Sequence, residues 1–219
     1  MNDQLILKFP SHQAYKKEDF YVSPGNQEAY DFINSWPRWI KKIVNIFGPS
    51  GSGKSHLASI LKSNTSCLQI ETKNLSDEIF FKFKTKEALI IENLDEKISE
   101  KLLFSLWNVA VQDNKYLLIT SRKKINTYKF KLRDLISRVN SSLIIGINLP
   151  SDDLISVILA KNFSDKQIKV EKKHIDYIIK RIDRSYEKIS QFILTLDKYS
   201  LKKGSPFSLK LIKEVLKMI

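Results

Sequence analysis

The segment Gly48-Pro49-Ser50-Gly51-Ser52-Gly53-Lys54-Ser55 fits the spacing G-x-x-x-x-G-K-[ST], and it constrains the fold more than any other stretch of the chain. A β-branched apolar run, Ile43 to Phe47, precedes it, and a helical pattern from Lys54 to Ser63 follows. Glycines in such a strand-turn-helix unit let the backbone bend tightly and aim successive N–H groups inward. The helix N-terminus adds the positive end of its dipole, so the turn suits phosphate oxygens. Lys54 is expected to reach the β- and γ-phosphates, and the Ser55 hydroxyl to serve a nucleotide-bound Mg²⁺, which keeps most of its waters. Gly48, Ser50, Gly51, Ser52, Gly53 and His56 complete the expected contacts to ATP or ADP.

Further strand-like runs are read at Cys67 to Ile70, Ala88 to Ile91, Tyr116 to Thr120 and Leu143 to Ile147, each with the Val, Ile and Leu content of strands buried on both faces. Helical patterns alternate with them at about Leu75 to Phe83, Ser99 to Gln112 and Leu132 to Arg138. That alternation predicts an α/β layer with a parallel sheet flanked by helices. After Leu149-Pro150 no strand pattern appears, and apolar stripes at helical spacing predict four short helices in residues 150–219, opened by a Ser151-Asp152-Asp153 cap. The expected organisation is an N-terminal segment 1–18, a nucleotide-binding domain 19–149 and a helical lid 150–219.

A carboxylate that orients Mg²⁺ belongs at the end of a second apolar strand, and here the sequence reads Ile90-Ile91-Glu92-Asn93. Glu92 is expected in the metal role. Asn93 cannot act as a base at the adjacent position, so hydrolysis in cis is expected to be weak. Asp95 and Glu96 lie beyond the apolar run and read as a solvated helix start.

Lys plus Arg number 37 against 24 Asp plus Glu, a net charge of +13. Such an excess attracts polyanions, nucleic acid foremost, although lysine spread along the whole chain also reads as compositional bias. Uncharged apolar runs fall far short of a bilayer span. The N-terminus lacks the pattern of a secretory signal, and Cys67 is the single cysteine, so a cytoplasmic protein is expected. Cys67 itself is expected to be a buried core residue. His12, His56 and His174 stand apart without ligand spacing, so no metal beyond that Mg²⁺ is expected.

The order of these features resembles the AAA+ ATPases of the DnaA family, specifically its short Hda-like regulators, over nearly the whole chain. Gln4-Leu5-Ile6-Leu7-Lys8-Phe9 resembles the peptide by which those regulators dock on the DNA polymerase sliding clamp, with Gln4 as polar anchor and Leu5, Leu7 and Phe9 as apolar plugs. Asp19 to Ala29 is similar to the segment bordering the adenine, which places Val22 and Asn26 beside the base. Thr120-Ser121-Arg122 resembles the sensor 1 region, with Ser121 near the γ-phosphate. Leu132 to Val139 resembles the stretch carrying an arginine finger, which the resemblance assigns to Arg138. In the lid, Ser190 stands where the family carries a sensor 2 arginine, which leaves the preference between ATP and ADP open.

The resemblance implies a negative regulator of replication initiation: nucleotide-bound, tethered to the clamp, and presenting Arg138 in trans to ATP held by DnaA. It implies no sequence-specific origin reading. An autonomous DNA-dependent ATPase, or an adaptor that binds DNA without sequence specificity, stays open beside it. So does the choice between monomer and homodimer.

Overall fold

The structure, a computed structural model, describes residues 19–165, 168, 170–203 and 208–219. Five strands, β1 (Ile43–Phe47), β2 (Cys67–Glu71), β3 (Ala88–Leu94), β4 (Tyr116–Ser121) and β5 (Leu143–Gly146), form one parallel sheet in the order β2-β3-β4-β1-β5. Parallel neighbours need crossover helices, and α1 (Gln27–Asn34), α2 (Lys54–Asn64), α3 (Ile79–Lys84), α4 (Glu100–Gln112) and α5 (Arg133–Ser141) cover both faces. Strand parity sorts the two cores. Leu89, Ile91, Leu117 and Ile119 pack with Phe83, Leu103, Trp107, Leu135 and Val139 of α3, α4 and α5. Val44, Ile46, Ile90 and Leu118 point the other way, onto Ala29 and Ile33 of α1 and Leu57, Ala58 and Leu61 of α2.

The expectation of five strands buried on both faces holds for β3 and very nearly for β1 and β4, but not for β2 and β5, which are half-buried. Those two lie at the sheet edges with one neighbour each, a position the sequence pattern does not reveal. Cys67 opens β2 and is correspondingly half-buried rather than a core residue. Instead of one helix from Leu75 to Phe83, a 3-10 turn at Thr72–Asn74 precedes α3, which begins only at Ile79. The carbonyls of Ser76 and Asp77 accept the amides of Ile79 and Phe80, so this polar stretch forms turns ahead of the helix.

Beyond the sheet, α6 (Asp152–Asp165), α7 (Lys172–Ile179), α8 (Tyr186–Lys203) and α9 (Leu209–Leu216) enclose a separate core around Ile155, Leu159, Phe163, Ile178, Phe192, Leu196, Ile212 and Val215. The Ser151 Oγ accepts the Leu154 amide at 3.3 Å and caps α6. At 18 residues α8 is longer than the short helix expected there. Among the described residues, no helix is long and apolar enough to cross a membrane.

Candidate functional site

A cavity of about 540 Å³ opens where the loop after β1 faces α6 and the start of α8. Gly51 and Gly53 give the loop its shape. Their φ angles are +77° and +89°, in the region that L side chains avoid. A Cβ on Gly53 would come within 2.9 Å of the Phe20 ring, and one on Gly51 within 3.1 Å of the Tyr186 Cβ, so the loop is held between Phe20, just ahead of α1, and Tyr186 at the start of α8.

Lys54 begins α2 and is only 6% exposed. Its Nζ donates to the carbonyls of Gly48 at 2.8 Å and Pro49 at 2.7 Å. Burial brings the ammonium's pKa down to about 8, the Arg122 guanidinium adds to the depression, and the Glu92 carboxylate opposes it. The cavity therefore holds a cation whose charge is incompletely compensated, the condition an anionic ligand relieves.

Next to it, Ser55 Oγ donates to Glu92 Oε2 at 2.5 Å, and Gln69 Nε2 donates to Glu92 Oε1. Glu92 is 7% exposed, and its backbone carbonyl accepts the Thr72 hydroxyl at 2.9 Å. A hydroxyl and a carboxylate touching at the N-terminus of α2 form a hard-oxygen donor pair. That suits Mg²⁺, which binds through few protein oxygens and otherwise through phosphates and water. The residues present thus fit a Mg-nucleotide.

Asn93 lines the cavity with a φ of +55°, a left-handed conformation that asparagine tolerates better than most residues. Its N–H donates to Thr120 Oγ1 at 3.1 Å, and the pairing of β3 with β4 shifts register between Ile91 and Leu94. The shift lies in the stretch by which β3 continues past the expected end at Ile91, to Leu94.

Other expected site residues take different places. Ser50, Ser52, Ser55 and His56 line the cavity, His56 meeting the Phe20 ring edge-on at 5.2 Å. Gly48 lies behind it and donates its N–H to the Ser121 carbonyl. Ser121 is fully buried, accepting from Asn45 Nδ2 at 2.8 Å and donating to the Lys123 carbonyl at 2.7 Å. The neighbouring Arg122 reaches the cavity instead. Asn26 is buried in its own turn, where Oδ1 accepts the Ser23 amide and Nδ2 donates to the Tyr21 carbonyl. Val22 is 40% exposed and outside the lining, whereas Asp19 and Tyr21 are part of it. Arg138 lies exposed in the last turn of α5, away from the cavity. Gln4, Leu5, Leu7 and Phe9 fall outside the described residues.

The wall formed by α6 was not foreseen. Ile158, Lys161, Asn162 and Asp165 line it at i, i+3, i+4 and i+7, one face of the helix, so the signal was present as spacing. Lys161 pairs with Asp19 and stands 5.4 Å over the Tyr21 ring, joining the helical part to the segment before α1. Tyr186 donates its hydroxyl to the Asn148 carbonyl at 3.3 Å, and burial pushes its phenol up to about 12. One turn later Ser190 also faces the cavity.

No model of a known protein family matches the chain. Among curated proteins it is similar to the chromosomal replication initiator protein DnaA of Borrelia garinii subsp. bavariensis, with 24% identity over 237 aligned positions, covering 94% of this chain and 48% of the relative. DnaA of Borrelia turicatae is 26% identical over 236 positions, covering 93% and 48%. The chain thus spans about half the length of the curated relatives it matches. Among solved structures, domain III of Thermotoga maritima DnaA superposes with a TM-score of 0.74 at 18% identity, covering 95% of this chain and 98% of that one. A DnaA bound to AMPPCP and single-stranded DNA gives 0.69 at 16%, covering 88% and 68%. A RuvB variant from Thermotoga maritima gives 0.71 at 14%, covering 90% and 71%. The five-stranded parallel sheet, its flanking helices and the four-helix body make this a DnaA-like AAA+ fold.

Proposed function

We propose that the chain is a nucleotide-binding regulator of DNA replication initiation that holds ATP or ADP with Mg²⁺ in the cavity and acts in trans on DnaA. The observation that carries the nucleotide reading is the convergence of buried Lys54, the Ser55–Glu92 pair and the Gly51–Gly53 loop on one hollow. A bound nucleotide supplies phosphate oxygens as acceptors for the loop amides and Lys54, which then leaves the carbonyls of Gly48 and Pro49. Ser55 and Glu92 orient the cation, while Asp19, Tyr21 and the α6 wall frame the rest of the nucleotide.

On the same reading, turnover in cis is weak. Asn93 stands beside Glu92 facing the cavity, and an amide side chain takes no proton from water. On this reading the nucleotide stabilises a shape, and chemistry happens on the ATP of DnaA. Arg138, exposed on α5 and free of the cavity, is the residue assigned to that task. A guanidinium placed against a developing phosphoryl charge contributes roughly 10³ to 10⁵ in rate. Residues Gln4 to Phe9 are assigned to the sliding clamp by their resemblance to the docking peptide of the Hda-like regulators.

The test is hydrolysis of labelled ATP prebound to DnaA, with DNA-loaded clamp and either the native protein or Arg138→Ala. Stimulation that requires the clamp and disappears in the variant is the expected result; no stimulation by the native protein rejects the regulatory reading. The net charge of +13 favours a second reading, a DNA-bound adaptor or DNA-dependent ATPase. Turnover by the chain alone, raised by DNA and falling steeply with salt, would select it.

A further inference from the structure

The segment that leads into the helix carrying Arg138 is tied both to α4 and to the strand end that faces the cavity. Glu100, in the first turn of α4, accepts the backbone amide of Lys131 on both carboxylate oxygens, at 3.0 and 2.9 Å, and the amide of Leu132 at 2.7 Å. Leu132 is the N-cap of α5, and its own side chain offers the helix no cap. A second tie lies three residues earlier, where the Tyr128 hydroxyl donates to the carbonyl of Leu94, the last residue of β3, at 2.8 Å. Both partners of the segment from Tyr128 to Leu132 that enters α5 therefore come from one stretch, Leu94 to Glu100, whose beginning adjoins Asn93. A hollow of about 700 Å³ lined by Asn93, Leu94, Asp95, Arg122 and Tyr128 runs beside it and shares Ser50, Asn93 and Arg122 with the cavity.

We propose that Glu100 is a positioning residue for Arg138: its carboxylate latches the N-terminus of α5 to α4 and, with Tyr128, fixes where the finger stands relative to the cavity end of β3. The inference rests on the trans-acting reading of Arg138. Three hydrogen bonds from amides to an ionised carboxylate are of the strong, charge-assisted kind. They are made at the point where a negative charge also meets the positive end of the α5 dipole. The amides of Leu132 and then Lys131 hold the Glu100 carboxyl below the usual carboxylate range, as donors to an ionised acceptor do. Sequence alone gives Glu100 the ordinary meaning of an acidic residue in a helix first turn. In the fold it serves the next helix as well.

Without the latch α5 keeps its packing through Leu135 and Val139, both buried, so the helix persists while its entry point loosens. A displacement of ~1 Å in a charged group can cost a reaction about 10²-fold. Glu100→Ala should therefore lower the maximal stimulation of DnaA-bound ATP hydrolysis roughly 10- to 100-fold while leaving nucleotide affinity, apparent affinity for DnaA and the far-ultraviolet spectrum unchanged. Glu100→Gln, which keeps two lone-pair directions but no charge, should fall between. Amide hydrogen exchange should quicken at Lys131 and Leu132 and stay slow in β1 and α2. In an Arg138→Ala background, Glu100→Ala should add nothing.

The outcomes separate the two claims. Stimulation lost in Arg138→Ala but retained in folded Glu100→Ala overturns the latch alone. Stimulation retained in Arg138→Ala overturns the finger, and with it any positioning role for Glu100. A further loss on adding Glu100→Ala to Arg138→Ala would mean that Glu100 acts through something other than the finger, and would also overturn the proposal.

Discussion

Lys54 offers a test of the nucleotide site that does not depend on any partner. Its ammonium titrates at about 8 in the free protein, because burial and the nearby Arg122 guanidinium disfavour the charged form. Phosphate oxygens at the loop would supply the missing counter-charge and return the group toward its ordinary value near 10.4. Binding and protonation are then linked. At pH 7 about nine-tenths of the free protein carries the charged lysine and at pH 9 about one-tenth, so affinity for ADP should fall about tenfold across that interval. At pH 8 binding should draw in about half a proton, visible in titration calorimetry as a heat that differs between buffers of unlike ionisation enthalpy. Stability of the free protein should move in the opposite sense. A folded pKa below the unfolded one means that the unfolded chain binds more protons between about 8 and 10.4, so Lys54 costs stability below pH 8 and that cost is relieved as pH rises through the window. Lys54→Met should flatten both profiles. Equal affinity at pH 7 and pH 9 with no buffer-dependent heat would refute the reasoning, since it would mean that the lysine is fully charged before the ligand arrives.

Two further substitutions probe the neighbouring contacts. Glu92→Gln keeps a partner for Ser55 and Gln69 but removes the charge, so ADP affinity measured without Mg²⁺ should hold while the gain on adding Mg²⁺ shrinks roughly 10- to 100-fold; an undiminished gain would place the cation elsewhere. Asn45→Ala strips the buried acceptor from the Ile125 amide, 3.0 Å away, and should cost about 1 to 3 kcal/mol in urea unfolding, with a loss under about 0.5 kcal/mol contradicting the assignment.

How far the sequence could be read depended on whether the determining contacts were local. The loop from Gly48 to Ser55 was legible because a strand, a turn and a helix N-terminus are sequential neighbours, and the three interior strands because burial on both faces leaves predominantly apolar runs. Edge position was not, since β2 and β5 carry the same residue types and differ only in having one neighbour. Ser121 was misplaced for a reason that strand geometry could have supplied. It shares parity with Leu117 and Ile119, which point into the α3–α5 core, so its hydroxyl had to turn inward to Asn45. Asn26 was read as a ligand contact although Ser23-Pro24-Gly25-Asn26 has the composition of a self-bonded turn, and that is how its side chain is used. Asn45 itself drew no notice as the one polar residue in an apolar strand, yet it ties β1 to β4 and to the turn at Ile125.

The helical wall carries the least legible and most consequential feature. With Ser190 at the place where the family resemblance expects an arginine, the one cation that α6 to α9 contribute among the described lining residues is Lys161, and its ammonium is already paired with Asp19. A cation so engaged exerts little net pull on an additional phosphate charge, because the carboxylate beside it cancels most of its field at any distance much longer than the pair itself. Among the described lining residues the other positive charges are those of Lys54, which the Glu92 carboxylate partly offsets, and Arg122, both on the sheet side. On the proposed reading, discrimination between ATP and ADP falls to that side, and the helical body responds to the nucleotide mainly through Tyr186 packed on Gly51 and through the Asp19–Lys161 pair. Such an arrangement couples the position of the helical body weakly to the number of phosphates. On the proposed reading that suits a chain that keeps its nucleotide as a structural element and acts through α5, whose approach is anchored at Glu100 of α4 and, through Tyr128, at the end of β3.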